Sequence, residues 1–227
     1  MPGAQHVALK VTTGTVLDLA AQNLRNAILN GVFRPGERMV EAHLCQRLDV
    51  SRASLREALR ILAAEKLITL VPNRGPSVAA ISWDEAEEIY HVRAMLEGEA
   101  AFRAATRLDA AGLLAMQSAL AEFDRAVARR DADLQIAATG RFYDAMLAGC
   151  GSGIIQELLH GLVARITFLR ARSMRRPGRA RESATELRRL LGALEACDAR
   201  GARAAATEHV RLACETARTV FDDRRAA

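Results

Sequence analysis

The residues of this sequence with the clearest chemical potential are three arginines, Arg52, Arg56 and Arg60, in the stretch 44–65, LCQRLDVSRASLREALRILAAE. An arginine guanidinium is planar and always charged, and it can donate two hydrogen bonds to guanine O6 and N7 or to a backbone phosphate. A helix N-terminus adds free N–H groups and a positive dipole end, which also favour phosphate. The stretch indicates a DNA-binding surface if a helix presents these side chains on one face.

A helix from residue 52 to about 66 would present the arginines in this way. Ser51 is a favourable N-cap, because its hydroxyl can accept a hydrogen bond from a free N–H group of the first turn. The apolar residues recur at spacings of three and four and form one buried stripe. The stripe is Leu55, Ala58, Leu59 and Leu62; the opposite face is Ala53, Arg56, Glu57 and Arg60, flanked by Arg52. Charge periodicity alone favours a merely solvated amphipathic helix, so the flanking segments must decide.

The segments on either side supply the other elements of a DNA-binding fold. Upstream, residues 24–44 predict a first amphipathic helix, a stop at Gly31 and a Pro-Gly turn before the next helix. Downstream, residues 66–82 predict two short strands around a turn at 72–75, with Arg74 in the turn. This order of helix, helix, recognition helix and hairpin wing favours DNA binding over a solvated helix.

Residues 18–81 closely resemble the winged-helix domain of the GntR family of bacterial transcription regulators, in its FadR-like branch. The resemblance implies that the serine and arginine that open the recognition helix, Ser51 and Arg52, contact DNA. It implies the same for Arg56, the arginine of the R-E-A-L segment. The wing turn of the family commonly approaches the minor groove. The implied wing contacts are Asn73, Arg74 and Gly75.

Two further residues of this domain are candidate DNA contacts. Ser54 is placed to contact a phosphate or a base. Arg38 lies in the P-G-x-R segment of the family, and it is equally compatible with a phosphate contact and with a structural ion pair to Glu41. Many relatives have proline or threonine at the position of Ala53, so the base recognised there stays open.

Length and charge fit a chain of two unequal parts. The 227 residues exceed the usual size of one domain, and half of them are hydrophobic but only 4% aromatic, which is typical of packed helices. Residues 1–80 hold ten lysines and arginines against six acidic residues, a net charge of +4, whereas the remainder carries only +1. The positive surplus therefore lies in the predicted DNA-binding domain, whose affinity for DNA should fall steeply with added salt.

Cysteine usage and hydropathy indicate a cytoplasmic protein. The four cysteines show no C-x-x-C spacing, so buried thiols are favoured over zinc ligands or disulfides. No N-terminal segment has the apolar core of a signal peptide, and no run approaches the roughly 18 apolar residues of a membrane span. We expect a flexible arm at 1–14, a winged-helix domain at 15–81 and an all-helical domain at 82–227.

From Ser82 onward the sequence predicts only helices. Candidate N-caps are Asp109, Asp131 and Ser152, and Gly201 is a candidate helix end. The predicted helices span 83–106, 109–130, 132–148, 152–174, 181–200 and 202–221.

The helix order and the segments VRAMLEGEAA, RFYDAML and GCGSGIIQELL resemble the FadR-type C-terminal effector domain, FCD. The two resemblances together imply a mostly α fold. In this fold, an N-terminal winged helix-turn-helix with a small β-hairpin wing precedes an all-α helical bundle that binds a ligand and dimerises.

Many members of the effector family hold a divalent metal ion with an Asp-x-x-Phe-His segment and two later histidines. This chain departs from that pattern, because Thr139 replaces the aspartate and Tyr143 replaces the first histidine. Leu187 replaces the second histidine, and only His209 remains. One hydroxyl, one phenol and one imidazole do not make a tight divalent site. We predict neither a metal nor another cofactor.

The same positions define a predicted effector pocket. Thr139, Tyr143 and His209 are hydrogen-bonding groups that can receive a small organic ligand. Arg93 lies four residues before Glu97, a spacing that favours an ion pair on one helix face. An inward Arg93 could instead bind a carboxylate. Because the effectors of the family are often organic acids, the resemblance implies a ligand of that class.

The segment 165–181 contains seven arginines and no acidic residue. It is compatible with a second nucleic-acid or anion surface, but its charge pattern favours a solvated helix end and loop. We therefore assign it no binding role from the sequence.

These observations predict a ligand-responsive repressor that binds a palindromic double-stranded operator as a homodimer and has no membrane partner. The sequence shows no metal triad, nucleophile elbow or phosphate loop, which argues against an enzyme. The alternative is a constitutive DNA-binding protein whose effector pocket is non-functional.

Overall fold

The computed structural model describes residues 16–29, 31–71 and 74–225, with side chains defined except at 29 and 223–225. The predicted arm at 1–14 and the predicted wing contact Asn73 lie outside the described residues. The chain divides after Ala79 into two compact units. The sequence places this boundary two residues later.

The described part of the N-terminal unit consists of three helices followed by a two-stranded antiparallel sheet. Its elements are α1 (Val16–Leu29), α2 (Glu41–Leu48), α3 (Arg52–Ala64), β1 (Ile68–Val71) and β2 (Gly75–Val78). The register of the sheet places Ile68 opposite Val78 and Val71 opposite Gly75. The unit is the winged helix-turn-helix that the sequence predicts, and β1 and β2 form the wing.

The segment between α1 and α2 adds an extended stretch that the sequence does not predict. Val78 N donates a hydrogen bond to Glu37 O at 2.9 Å, and Met39 N donates to Pro76 O at 2.8 Å. The side of β2 that β1 leaves open is thereby paired. Arg38 lies between these bonds and is fixed beside the wing.

Helix α3 packs its apolar stripe into the core of this unit, as predicted. The four stripe residues are at most 1% exposed: Leu55, Ala58, Leu59 and Leu62. Arg25 on α1 holds the far end of α3, because its Nε and Nη2 donate to the Glu65 carboxylate at 2.8 and 2.5 Å. The helix ends at Ala64 rather than at 66, since Lys66 adopts a left-handed backbone with φ +61°.

The C-terminal unit is a bundle of helices. Its elements are α4 (Trp83–Ala104), α5 (Ala110–Arg129), α6 (Ala132–Cys150), α7 (Gly153–Arg165), α8 (Thr167–Met174), α9 (Arg179–Glu195) and α10 (Ala199–Arg225). Asp109, Asp131 and Ser152 cap α5, α6 and α7 as predicted, each accepting from a first-turn N–H group. Within the described ranges, no helix has the length and apolar character needed to cross a bilayer.

Helix α4 runs through the middle of the bundle and packs most extensively against α10, and also against α6 and α7. Gly98 allows the close approach of α10, since a Cβ atom there would lie 2.7 Å from Thr207 Oγ1. Helix α4 therefore carries buried residues on faces that contact different neighbours. This position makes it the scaffold for polar groups inside the bundle.

Two predicted features of this unit are wrong. The single helix predicted at 152–174 is broken at Ile166, whose N–H donates to Val163 O at 3.2 Å and whose φ and ψ of −107° and 9° leave the helical region. Gly201 does not end a helix but lies in the first turn of α10. Asp198 accepts from Gly201 N at 2.9 Å there, after a left-handed Cys197 has ended the preceding turn.

Candidate DNA-binding surface and ligand cavity

Ser51 and Ser54 organise the first turn of α3. Ser51 Oγ accepts a hydrogen bond from Ser54 N at 3.1 Å and lies 3.0 Å from Ser54 Oγ. Ser51 therefore serves as the predicted N-cap, and its direct role in binding DNA stays a prediction. Both serines lie at the positive end of the helix dipole, where a phosphate is favoured.

The structure brings three predicted DNA contacts to one shallow cleft of about 320 Å³. Arg52 at the start of α3, Arg38 from the extended segment and Gly75 from the wing all line it. Because these residues are far apart in the sequence, only the pairing of the extended segment with β2 places them together. Glu41 also lines the cleft, so two guanidinium groups and one carboxylate lie beside a helix N-terminus. The net positive charge suits a phosphate.

Arg56 lies on the exposed face of α3 and pairs with Glu41, at 3.1 Å between Nε and Oε2. The alternative ion pair from Arg38 to Glu41 is therefore not the one that forms. The side chain of Arg56 is 64% exposed, so the contact is weak and leaves the guanidinium free to turn towards a ligand. Arg60, one turn later, pairs with Glu57 at 2.5 Å.

The wing presents Arg74 to solvent at the beginning of β2. Gly75 follows it with φ +77°, a left-handed conformation that L side chains rarely adopt, so glycine is required there for the turn. Arg74 N donates to Val71 O at 3.1 Å and closes the turn. The tip thus carries one exposed positive charge on a tight backbone.

A small cavity of about 30 Å³ lies inside the C-terminal bundle. Three of the four predicted pocket residues line it, namely Arg93, Thr139 and His209. Tyr143, the fourth, is buried next to His209, with 5.9 Å between the ring centroids. Thr139 Oγ1 donates to Gln135 O of its own helix at 2.8 Å. The prediction that these residues lie close together therefore agrees with their positions.

Arg93 and Glu97 form the ion pair that their spacing predicts, with Nε and Oε1 at 2.8 Å, and both side chains are 3% exposed. The pair leaves Arg93 Nη1, Glu97 Oε2 and the Tyr143 hydroxyl buried without a hydrogen-bond partner among the described residues. Burial and the Glu97 charge raise the pKa of Tyr143 well above its usual value. The phenol therefore stays protonated and can donate a hydrogen bond.

A second buried ion pair positions His209. Arg179 Nη1 and Nη2 donate to the two Glu186 oxygens at 2.6 and 2.9 Å, and Glu186 Oε2 lies 2.6 Å from His209 Nδ1. Burial alone would raise the pKa of Glu186, but the hydrogen bonds from His209 and Arg179 outweigh it and lower the pKa to about 2. Glu186 is thus ionised at neutral pH and fixes the ring of His209.

Arg170 gives the cavity an excess of positive charge. It lines the cavity with Arg93 and Arg179. The buried carboxylates that pair with those two arginines are Glu97 and Glu186. A third carboxylate, that of Glu182, lies 3.8 Å from Arg179 but is 67% exposed. No hydrogen bond or ion pair joins the Arg170 side chain to another described residue. Arg170 is half-buried, and burial together with the charge of Arg93 lowers its pKa. One negative group would balance this set of charges.

The residues at the family's metal position do not suit a divalent ion. Leu187 is fully buried and has no donor atom, and Tyr143 stays protonated. His209 is the one family ligand that remains, and the neighbouring arginines repel a cation. No group of three histidine, cysteine or acidic side chains suited to a metal occurs in the part of the chain that the structure describes.

The residues that α8 and α9 contribute to the cavity are not predicted from the sequence. These are Arg170, Ser173, Met174 and Arg179. The interpretation of 165–181 as a solvated segment is wrong for Arg179, which is 4% exposed. A usable signal was present, since Arg179 and Glu186 lie seven residues apart, two helical turns along one face.

Comparison with known proteins agrees with this division. A family model described as "Bacterial regulatory proteins, gntR family" matches residues 18–78, and one described as "FCD domain" matches residues 88–212. The FCD match covers more than half of the chain. The predicted family and fold class are therefore confirmed.

Individual proteins are also similar to this chain over most of its length. The HTH-type transcriptional repressor GlaR of Escherichia coli (strain K12) is 33% identical over 156 residues, which cover 64% of this chain and 70% of GlaR. The uncharacterized HTH-type transcriptional regulator YdhC of Bacillus subtilis (strain 168) is 26% identical over 201 residues, 88% of this chain and 90% of YdhC. The structure of E. coli McbR/YncC, 22% identical, matches with a TM-score of 0.81 over 92% of this chain and 100% of that chain, which shows the fold.

The buried Glu186 predicts a pH-dependent contribution to stability. We expect Glu186→Gln to lower the free energy of unfolding at pH 7 by about 2 to 4 kcal/mol, because Arg179 loses its buried counter-charge. The folded pKa of about 2 lies below the ordinary value of 4.5, so the contribution is present above pH 4.5 and is lost as the pH falls towards 2. Urea denaturation at several pH values measures the loss of stability at pH 7 and its decrease at acidic pH.

Glu182→Gln is the matched control, since Glu182 lies 3.8 Å from the same Arg179 but is 67% exposed. We expect Glu182→Gln to lower the free energy of unfolding by less than about 0.5 kcal/mol. Equal effects of the two substitutions, or a Glu186→Gln effect that does not shrink below pH 4.5, would contradict the assigned network.

Proposed function

The chain belongs to the gntR family of bacterial regulatory proteins and carries an FCD domain, so it is a DNA-binding transcriptional regulator; we propose that a small organic anion, bound in the cavity of the C-terminal bundle, controls its affinity for an operator. The proposed role is that of a repressor in the cytoplasm. GlaR, a relative over most of its own length, is named a repressor, which supports this choice.

The observation that carries the proposal is the unbalanced charge around the cavity. Three arginines line the cavity, only two buried carboxylates lie beside them, and Arg170 forms no ion pair with a described residue. A carboxylate ligand would supply the missing charge and accept hydrogen bonds from Arg170 and from the free Nη1 of Arg93. The protonated Tyr143, beside His209, is a further donor near the same place.

The volume of the cavity suggests how binding is linked to a conformational change. About 30 Å³ accommodates one water-sized group, and a metabolite requires more space. The wall formed by α8 and the start of α9 contains Met174, an unbranched side chain that can adopt other rotamers. A ligand therefore favours a conformation with a larger cavity, and this difference in affinity is what a switch requires.

The proposed mechanism operates without a metal ion. The Arg179–Glu186 pair orients His209, the task that a metal and its ligands would otherwise share. Arginines then bind the anionic ligand directly. We propose Arg93, Arg170 and His209 as the binding residues, with Thr139 in the polar wall and Tyr143 beside His209.

The proposed DNA-binding species is a homodimer on a palindromic operator. Two recognition helices related by a twofold axis present Arg52 and Arg56 to successive half-sites in the major groove. The clefts that contain Arg38 bind the flanking phosphates. The resemblance to dimeric regulators of the family supports this arrangement.

A constitutive DNA-binding protein is the second candidate. It is favoured by the small size of the cavity and by the loss of the metal ligands. The two candidates differ in whether a carboxylate stabilises the protein through Arg170. The response of Arg170→Met to a carboxylate therefore distinguishes them.

Arg56 on the recognition helix tests the proposed contact with DNA. We expect Arg56→Ala to weaken binding to an operator selected from genomic fragments of the source organism by about 1 to 3 kcal/mol, roughly 5- to 150-fold in Kd, because a bidentate contact to a guanine is lost. Fluorescence anisotropy with the operator and with an unrelated duplex measures the change.

Arg125→Ala removes the same charge from an exposed position on α5 and serves as the control. A loss that is equal on the operator and on the unrelated duplex would assign Arg56 to a phosphate instead of a base. Unchanged operator binding by Arg56→Ala would refute the assigned face of α3.

Arg170 tests the proposed role of the ligand cavity. We expect Arg170→Met to raise the melting temperature of the free protein, because it removes an unpaired charge from the neighbourhood of Arg93. We also expect it to abolish the stabilisation by the best carboxylate in a thermal-shift screen of organic acids. For the wild-type protein at a hundredfold excess over Kd, that stabilisation is about 2.7 kcal/mol, or roughly 5 to 10 °C.

Arg172→Met is the control, because Arg172 lies on the same helix but stacks over Phe168, with 5.9 Å between its Cζ and the ring centroid. It should retain the response to the ligand. If no carboxylate stabilises the wild-type protein, or if Arg170→Met responds as fully as Arg172→Met, the constitutive candidate is the better account.

A further inference from the structure

A second cavity, of about 560 Å³, lies on the C-terminal unit between the α5–α6 junction and the α8–α9 turn. Four of its lining residues are arginines and none is acidic; we call it the arginine cleft, lined by Arg130, Arg175, Arg176 and Arg181 together with Gln135 and Met174. Its volume is within the range of sites for small molecules. The function proposed above does not use it.

The four arginines are only weakly neutralised by the protein. Arg175 lies 3.4 Å from Asp133, and both side chains are largely exposed. Arg176 donates to the hydroxyl of Thr219, which carries no charge. Arg130 and Arg181 have neither an ion pair nor a hydrogen bond from their side chains to other described residues. The cleft therefore concentrates positive charge that a bound anion would neutralise.

The floor of the cleft contains a buried polar group that needs a partner. Gln135 is 4% exposed, and its Nε2 donates to Ala126 O at 3.4 Å, while its Oε1 has no hydrogen-bond partner among the described residues. A buried amide oxygen of this kind suits a hydroxyl or a protonated acid group of a ligand. A buried and unpaired amide oxygen is not expected under arginines that merely lie on a solvated loop.

The backbone at the rim adds to the positive field. Helix α9 begins at Arg179 without a side-chain cap, and Gly178 and Ala180 on either side of this residue line the cleft. The N-terminus of α9, the positive end of its dipole, therefore lies at the rim of the cleft, and the exposed Glu182 of its first turn partly offsets that charge. A recessed cleft suits a small molecule, whereas duplex DNA would need the arginines on a protruding surface.

We propose that the arginine cleft is a second ligand site, which binds a small polyanion with two or more phosphoryl or carboxylate groups. Its occupant is separated from the inner cavity by Met174, whose side chain lines both spaces. The two sites use different arginines, so substitutions can test each of them separately.

The test is isothermal titration calorimetry of the full chain with inorganic pyrophosphate at low ionic strength, and with citrate as a second probe. We expect saturable binding of one pyrophosphate per chain. The variant Arg130→Asn with Arg181→Ala should weaken it at least ~10-fold, because two charge-assisted contacts are lost. Asparagine is chosen at 130 because that residue has φ +55°, which asparagine tolerates.

The matched control is Arg125→Ala with Arg200→Ala, which removes two charges from exposed helix positions outside the cleft. It should change pyrophosphate binding less than ~2-fold at the same ionic strength. The proposal is overturned if neither probe binds, or if both double variants bind pyrophosphate equally. It is also overturned if the cleft variant loses affinity for unrelated duplex DNA while pyrophosphate does not bind to the wild-type protein, because the arginines then serve nucleic acid.

Discussion

The C-terminal unit depends on one constraint, the cost of placing charged groups inside a helical bundle. Arg93 with Glu97 on α4, and Arg179 with Glu186 on α9, meet this cost by forming close ion pairs. Arg170 is half-buried and forms no ion pair with a described carboxylate. One positive charge beside the cavity therefore has no paired carboxylate, and a single bound anion can shift the conformation of the bundle. The sensing role that we propose follows from this imbalance.

The N-terminal unit shows a different constraint, since its function requires residues from three segments to meet. The apolar stripe of α3 and the Arg25–Glu65 contact fix the recognition helix on its own unit. Pairing of the segment before α2 with the wing then carries Arg38 to the cleft that Arg52 also lines. The exposed contact between Arg56 and Glu41 is weak by comparison and leaves that guanidinium available. Rigid backbone placement combined with loosely held guanidinium groups is suited to docking on DNA.

Much of this architecture could be predicted because its causes are local. The stripe of α3 and the caps at Asp109, Asp131 and Ser152 follow from residue type and spacing, and they are confirmed. The break at Ile166 could not be predicted, since that residue is apolar and fully buried and its conformation depends on tertiary packing. The burial of Arg179 was missed for the same reason, because its partner Glu186 comes from the next turns of α9 while the neighbouring arginines remain exposed. A run of arginines predicts solvent exposure for most of its members, but it does not identify Arg179 as the one that pairs with a buried carboxylate.

The most direct test of the central claim is a linkage measurement. A carboxylate that stabilises the wild-type protein is titrated into the free protein and into its complex with a selected operator, and operator affinity is measured with and without that carboxylate. If the ligand acts as a switch, the operator changes the ligand Kd by roughly 5- to 150-fold and the ligand changes the operator Kd by the same factor, since coupling between two sites is reciprocal. Identical ligand affinities for the free protein and for the complex would contradict the claim, because binding in the cavity would then be unconnected to DNA.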